Sequence, residues 1–211
     1  MSNFSLQIPA WPNGAPVPAR HALGKLGQPM ELSDNISPEM SWSDAPDGTR
    51  SFAIIVTDPD VPSAGDDVNI EGRLVPADLP RVPFFHWVLI DLPTSVTTLA
   101  EGAASSGITA RGKPVGESLG GVAGANDYTG WFASDADMAG TYGGYDGPCP
   151  PWNDSIMHHY HFDVFALDVE TLGIDPADLT GPTASAAMEG HILAKASHMG
   201  TYSLNAAVQA G

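Results

Sequence analysis

The chain has 211 residues, and its 25 acidic against 8 basic side chains give a formal net charge of −17. That length is enough for one domain with a sizeable core. The charge makes duplex nucleic acid and anionic membrane surfaces poor partners, because both require clustered Lys and Arg. The single cysteine, Cys149, excludes an internal disulfide and a zinc site built from cysteines.

The first residues, MSNFSLQIPAWPNG, contain neither a basic start nor an apolar signal core. No run approaches the roughly 20 apolar residues that a membrane-spanning helix needs. We therefore expect a cytoplasmic protein without stable membrane insertion. Residues 1–36 contain five prolines and are predicted to form an irregular arm of a single domain covering residues 1–211.

Three segments have the pattern of β-strands. Residues 51–58 are apolar on both faces, which predicts a central strand covered on both sides, ended by Pro59 and Pro62. Residues 86–92 form the second predicted strand, and residues 160–167, which alternate between apolar and polar side chains, form the third.

The segments between these strands are predicted to be long loops, over residues 61–84 and 101–142. The first is rich in proline, and the second is rich in glycine, alanine and serine. Loops of this length in a compact domain are usually functional or mobile. Pro59, Pro62 and the Pro148–Pro151 group also suggest a cis peptide bond near the site.

The C-terminal region is predicted to contain the longest helix. Residues 175–178 have the Asp-Pro pattern of a short helix start. Residues 183–198 are predicted to be helical because apolar side chains recur at intervals of four residues, and Gly200 follows as a stop signal. A last short strand is predicted at residues 202–206.

Polar side chains stand at the ends of the predicted strands. Asp58 is the last residue of the first strand, and His86 begins the second. If the first strand runs antiparallel to the other two, these residues meet His158 at one rim of the sheet. The spacing alone leaves that pairing open, and it leaves open that the aspartate is a turn residue and the histidines are packed strand residues.

A loop and a strand together resemble a known family. Gly147-Pro148-Cys149-Pro150-Pro151, followed by the pattern His158-x-Tyr160-x-Phe162, is similar to the second signature of the phosphatidylethanolamine-binding proteins. The match is to their bacterial and archaeal branch, often labelled Raf-kinase-inhibitor-like. The first signature of the same family is similar to four upstream segments: residues 37–42, residues 48–53, residues 58–62 and His86-Trp87. Order and spacing agree from about residue 37 to residue 167.

The resemblance implies a mostly β fold, an antiparallel β-sandwich with a few helices, the longest near the C-terminus. It implies a non-enzymatic binding protein with a pocket for a small anion: phosphate, a phospholipid head group such as phosphoethanolamine, or a small carboxylate. Family members also regulate protein partners, and relatives in the bacterial branch are often homodimers. No cofactor or metal is expected.

By resemblance, eight residues correspond to the pocket: Asp58, Asp60, Pro62, His86, Gly147, Pro148, His158 and Tyr160. The chemistry is suitable, because the two histidines offer N–H donors and become cationic when a nearby carboxylate raises their pKa. Asp58 can orient one imidazole, Tyr160 offers a hydroxyl, and a loop N–H adds a further donor.

Two other interpretations stay open. The aspartates and histidines also suit an acid–base or metal-assisted hydrolase, with Cys149 either a nucleophile or a buried loop thiol. Alternatively, His159, His161 and the acidic surface form a pure protein-interaction face. His159 also departs from the family pattern, which commonly has arginine there, so any ion pair it makes should depend on pH.

Overall fold

The computed structural model describes residues 3–209, which form eleven strands and three α-helices. The strands are β1 (Ser5–Gln7), β2 (Gly24–Leu26), β3 (Met30–Leu32), β4 (Met40–Ser43), β5 (Ser51–Pro62), β6 (Arg81–Pro93), β7 (Thr98–Leu99), β8 (Gly116–Ser118), β9 (Gly121–Ala123), β10 (His158–Leu167) and β11 (Ile192–Tyr202). The helices are α1 (Tyr128–Trp131), α2 (Gly181–Met188) and α3 (Ala206–Gln209), and a 3₁₀ turn covers Ala19–His21.

The strands form two main antiparallel sheets. The larger sheet has the order β11-β10-β5-β6-β9-β8, and the smaller has the order β1-β4-β7; β2 and β3 make a separate hairpin. Val56 of β5 lies opposite Phe162 of β10 on one side and Trp87 of β6 on the other. The predicted antiparallel arrangement of the three central strands is confirmed.

Both faces of β5 are covered, as its apolar sequence predicted. On one face, Phe52 stacks on Phe4 at 6.0 Å and meets Trp42 of the smaller sheet edge-on at 5.6 Å. On the other face, Ile55 and its neighbours pack against the side chains of α2. The result is a mostly β sandwich with helix on its outer face, and α2 is the longest helix of the described residues.

The central strands are longer than predicted. Pro59 does not end β5, which continues to Pro62, because the pairing with β6 shifts register between Asp58 and Val61. At such a bulge the ladder does not need the N–H that proline lacks. β6 begins at Arg81, so His86 lies inside the strand instead of at its start.

The predicted helix at residues 183–198 is right as far as Met188 and wrong beyond it. Helix α2 ends at Met188, Gly190 adopts a positive φ of 83°, and β11 begins at Ile192. An interval of four residues is also an even number, so it places side chains on one face of a strand as well as of a helix. The structure uses it for the strand.

Three smaller predictions also failed. Residues 176–178 form a turn instead of a helix. The strand predicted at residues 202–206 is absent, because β11 ends at Tyr202, residues 203–205 are irregular and α3 begins at Ala206. The cis peptide bond found between residues 3 and 209 is Gln28–Pro29, away from the predicted loop. In the same part of the chain, no helix is both long and apolar enough to cross a membrane.

Candidate functional site

A cavity of about 130 Å³ opens at the end of the sheet where β5, β6 and β10 meet. Four of the eight predicted site residues line it: Asp58, Pro62, His86 and Tyr160. The other four, Asp60, Gly147, Pro148 and His158, lie around it without lining it. The antiparallel pairing explains the convergence, because Asp58 lies opposite Phe84 of β6, two residues from His86.

Tyr160 lines this cavity, and its side chain is 1% exposed. Its buried hydroxyl oxygen makes no hydrogen bond of ordinary geometry among residues 3–209, although the Asp58 carboxylate is near enough to act on its pKa through a side-chain hydrogen bond. Burial, followed by the nearby Asp58 carboxylate, raises the pKa of Tyr160 well above its usual value. The group is therefore a neutral O–H donor held at a buried position.

His86 is fixed in orientation by the loop that follows α1. Its Nδ1 donates to the carbonyl oxygen of Asp146 at 2.8 Å, and the amide of Asp146 donates back to the carbonyl of His86. Burial lowers the pKa of His86, although Asp58 opposes this. The imidazole is thus neutral, and its Nε2 has no partner within the described chain.

His158 lies behind the cavity, and both of its ring nitrogens are engaged. Nδ1 lies 2.7 Å from Asp58 Oδ2, and Nε2 lies 3.1 Å from Asp154 Oδ2. Burial by itself lowers the pKa of His158, but the two carboxylates outweigh it and raise the pKa to about 9. The ring is an imidazolium with no N–H left for a ligand, so a direct donor role does not fit this geometry.

The ion pairs continue from Asp154 to Arg81. The guanidinium binds the Asp154 carboxylate through two nitrogens, at 2.6 and 3.1 Å. Arg81 also donates to the carbonyl oxygens of Asp60, Pro76 and Leu79. Two carboxylates and two cations therefore alternate beneath the cavity, and their formal charges cancel.

Asp60 points away from the cavity, toward the other face of β10. Its Oδ2 accepts from the Nδ1 of His159 at 2.8 Å and from the amide of the same residue at 2.9 Å. His159 thus contacts a carboxylate at the position where the resemblance leads one to expect arginine.

Gly147 and Pro148 act through the backbone. A Cβ on Gly147 would lie 2.0 Å from the carbonyl oxygen of His21, so only glycine allows this close approach. The carbonyl of Pro148 accepts from the amides of Leu23 and Gly24. These contacts dock the loop on the N-terminal arm.

Cys149 lines the cavity as a neutral thiol. Burial raises the pKa of its side chain to about 12. A thiol with that pKa is a poor nucleophile at neutral pH, because the thiolate is the reactive form. Its peptide N–H has no hydrogen-bond partner among the described residues.

The long loop at residues 63–80 forms one wall of the cavity, and the sequence did not indicate what holds it. Asn153 Nδ2 faces the carbonyl oxygens of Asp67, Ile70 and Arg73, while its Oδ1 accepts from the amide of Asn69. Asn153 and Arg81 together dock this loop on the segment before β10. The sequence could have drawn attention to Arg81, because it is one of only eight basic residues in the chain.

Replacing Asn153 with alanine should lower the free energy of unfolding by about 1–3 kcal/mol, because buried carbonyl and amide groups lose their partners. Urea denaturation measures this. Asn13→Ala is the control, since Asn13 is exposed and makes one hydrogen bond, to Met199. Equal losses in the two variants would contradict a special role for Asn153.

No group of three or more His, Cys, Asp or Glu side chains within residues 3–209 is arranged to hold a metal ion. The donors that the site does offer to a ligand are the Tyr160 hydroxyl, the His86 imidazole once protonated, and the Cys149 amide. Such a set suits a hydrogen-bonded anion.

The sequence of residues 7–203 matches the family model described as phosphatidylethanolamine-binding protein. A UPF0098 protein from Chlamydia pneumoniae is 32% identical over 202 residues, covering 94% of this chain and 98% of the relative. The UPF0098 protein YbhB of Escherichia coli is 31% identical over 190 residues, covering 88% and 90%.

Solved structures agree with these sequence matches. The crystal structure of E. coli YbcL, described as a member of the mammalian PEBP family, has a TM-score of 0.68 and 26% identity, and the match covers 96% of this chain and 99% of YbcL. The PEBP homologue CT736 of Chlamydia trachomatis has a TM-score of 0.64 and 29% identity, over 96% and 98% of the two chains. With its two signatures and its sandwich fold, the chain therefore belongs to the phosphatidylethanolamine-binding protein family.

Proposed function

We propose that this protein is a non-enzymatic binding protein that holds the anionic group of a small molecule in the cavity at the end of β5, β6 and β10. The observation that carries the proposal is the Tyr160 hydroxyl, which is buried and makes no hydrogen bond of ordinary geometry among residues 3–209. A buried donor without a partner costs free energy. A ligand acceptor would remove that cost.

His86 supports the same assignment. The residue lines the cavity, its Nδ1 is held by the backbone of Asp146, and its Nε2 has no hydrogen-bond partner among the described residues. An anion in the cavity favours the protonated imidazole, which then donates from Nε2. The Cys149 amide offers a third donor.

A hydrolase would need a free general base or a reactive nucleophile, and neither candidate residue meets this need. His158 would have to act as a base, but both of its nitrogens face carboxylates. Cys149 would have to act as a nucleophile, but the pKa of its thiol is raised to about 12. The chemistry of these residues supports binding.

Tyr160→Phe should weaken the binding of inorganic phosphate or acetate by about 1.5–3 kcal/mol, the range for a hydrogen bond to a charged group. The substitution removes one oxygen that makes no hydrogen bond of ordinary geometry in the described chain, so stability should hold or rise. Isothermal titration calorimetry and thermal unfolding measure the two quantities separately.

Tyr142→Phe is the matched control, because its hydroxyl donates to Met138 outside the cavity. Anion affinity should be unchanged in that variant. If Tyr160→Phe binds both anions as tightly as the wild type, the cavity is not the anion site.

Sulfate affinity should fall as pH rises from about 5 to about 8, because unperturbed histidine titrates within this range. Burial lowers the pKa of free His86, and a bound anion raises it, so binding takes up a proton and is favoured at low pH. Sulfate stays a dianion throughout, so its own ionisation does not contribute. His86→Gln should flatten the profile in calorimetric titrations, and a profile that remains steep would assign the proton to another group.

A further inference from the structure

The cavity lacks a fixed cation. Among the described residues that line it, Asp58 is the only charged side chain, and His158 neutralises it from behind. The two nearby cations are already bound: Arg81 to Asp154, and Lys113 to Asp146 at 2.7 Å. A free Lys or Arg strengthens the binding of a phosphate dianion through charge-assisted hydrogen bonds, whereas a carboxylate has a single charge and two acceptor oxygens.

Most of the remaining wall is apolar. Three aromatic residues, Phe84, Tyr128 and Trp131, line one side, with the Phe84 and Tyr128 rings edge-on at 5.0 Å. Pro151 and Val68 belong to the other walls. An apolar surface of this kind adds little to the affinity for an inorganic anion, but it favours the binding of a hydrocarbon group.

The size of the cavity limits that group. Its volume is about 130 Å³, and an apolar cavity of about 150 Å³ in another protein accommodates benzene. Trp131 is 51% exposed at the rim, where a ring-sized group could cover it.

We infer that the ligand is a small carboxylic acid whose apolar body is about the size of a benzene ring. The carboxylate accepts from Tyr160 and His86, and the body lies among Phe84, Tyr128 and Trp131. This inference rests on the proposed function and selects one ligand class within it.

Calorimetric titration with four test ligands separates the two claims. Benzoate carries both features, acetate only the carboxylate, benzyl alcohol only the ring, and inorganic phosphate only a compact charge. Benzoate should bind at least tenfold more tightly than each of the other three.

A substitution in the cavity wall tests the position of the ring. Val68→Phe adds bulk to the loop wall of the cavity, whereas Tyr160 and His86 lie on the strands β10 and β6. The substitution should therefore weaken benzoate at least tenfold and leave acetate within twofold. Ile70→Phe is the control, because Ile70 lies in the same loop, is 40% exposed and does not line the cavity. Retained acetate binding also shows that the variant is folded.

Phosphate or acetate binding as tightly as benzoate would overturn this inference and leave the proposed function standing. Benzyl alcohol binding as tightly as benzoate would overturn both, because the charge would then contribute nothing. Benzoate binding that is unaffected by Val68→Phe would place the ring elsewhere and overturn the inference alone.

Discussion

Replacing His158 with alanine should lower the free energy of unfolding by about 3–5 kcal/mol, the cost of breaking a buried ion pair by removing one partner. The imidazolium is fully buried and lies between the carboxylates of Asp58 and Asp154, which are each 1% exposed. Its removal leaves two aspartates facing each other across a cavity with one cation, Arg81, on the far side. Chemical denaturation at neutral pH measures the loss.

His159→Ala is the matched control one residue away on the same strand. Its ring is 44% exposed and pairs with Asp60 near the surface, so the expected loss is below about 1 kcal/mol. Equal losses in the two variants would contradict the buried network.

His158 should also make the stability of the protein depend on pH. Its pKa rises from 6.5 to about 9 in the folded protein, so its contribution is complete below about pH 6.5 and is lost as pH rises toward 9. The stability difference between wild type and His158→Ala should therefore shrink across that window. A constant difference would show that His158 does not titrate there.

Asp146→Ala should also cost about 3–5 kcal/mol, because it removes the acceptor at the centre of a buried polar cluster. Its carboxylate accepts from Asn35 at 2.8 Å, from Asn126 at 2.9 Å and from Lys113 at 2.7 Å. Both asparagines are almost fully buried, so neither can turn to water. The variant keeps the backbone carbonyl that orients His86 but loses the contacts that hold this loop in place, so it should also bind anions more weakly.

Asp163→Ala tests whether any paired aspartate behaves this way. Asp163 also binds a lysine and a second side chain, Lys195 and Ser197, but near the surface. The expected loss there is below about 1 kcal/mol. Denaturant unfolding of both variants gives the comparison, and a small loss in Asp146→Ala would mean that water replaces its carboxylate.

The sequence predicted which side chains converge, because alternation and strand order determine that much. Asp58, His86 and Tyr160 lie together as the antiparallel pairing requires. The sequence did not predict which histidine keeps a ring nitrogen without a hydrogen-bond partner, because that depends on residues distant in the chain. Asp154 and Asp58 occupy both nitrogens of His158, while a backbone carbonyl occupies only one of His86.

The error at residues 183–198 has a local origin. The alanine-rich sequence suits a helix, and the four-residue interval fits both structures. Pairing with β10 decides the outcome, because Ala196 and His198 lie opposite Val164 and Phe162 in the core of the sheet. Such tertiary pairing overrides helix propensity, and the local sequence pattern does not reveal it.

The docking of the loop at residues 63–80 has a kinetic consequence. Asn153 and Arg81 hold this wall in place before any ligand arrives, and α1 is fixed to β6 by Asp127, which accepts from the amide of Phe85. A ligand therefore meets a preorganised site and does not have to order the chain around it. Association should be a single bimolecular step through the rim at Trp131, with an observed rate that rises linearly with ligand concentration.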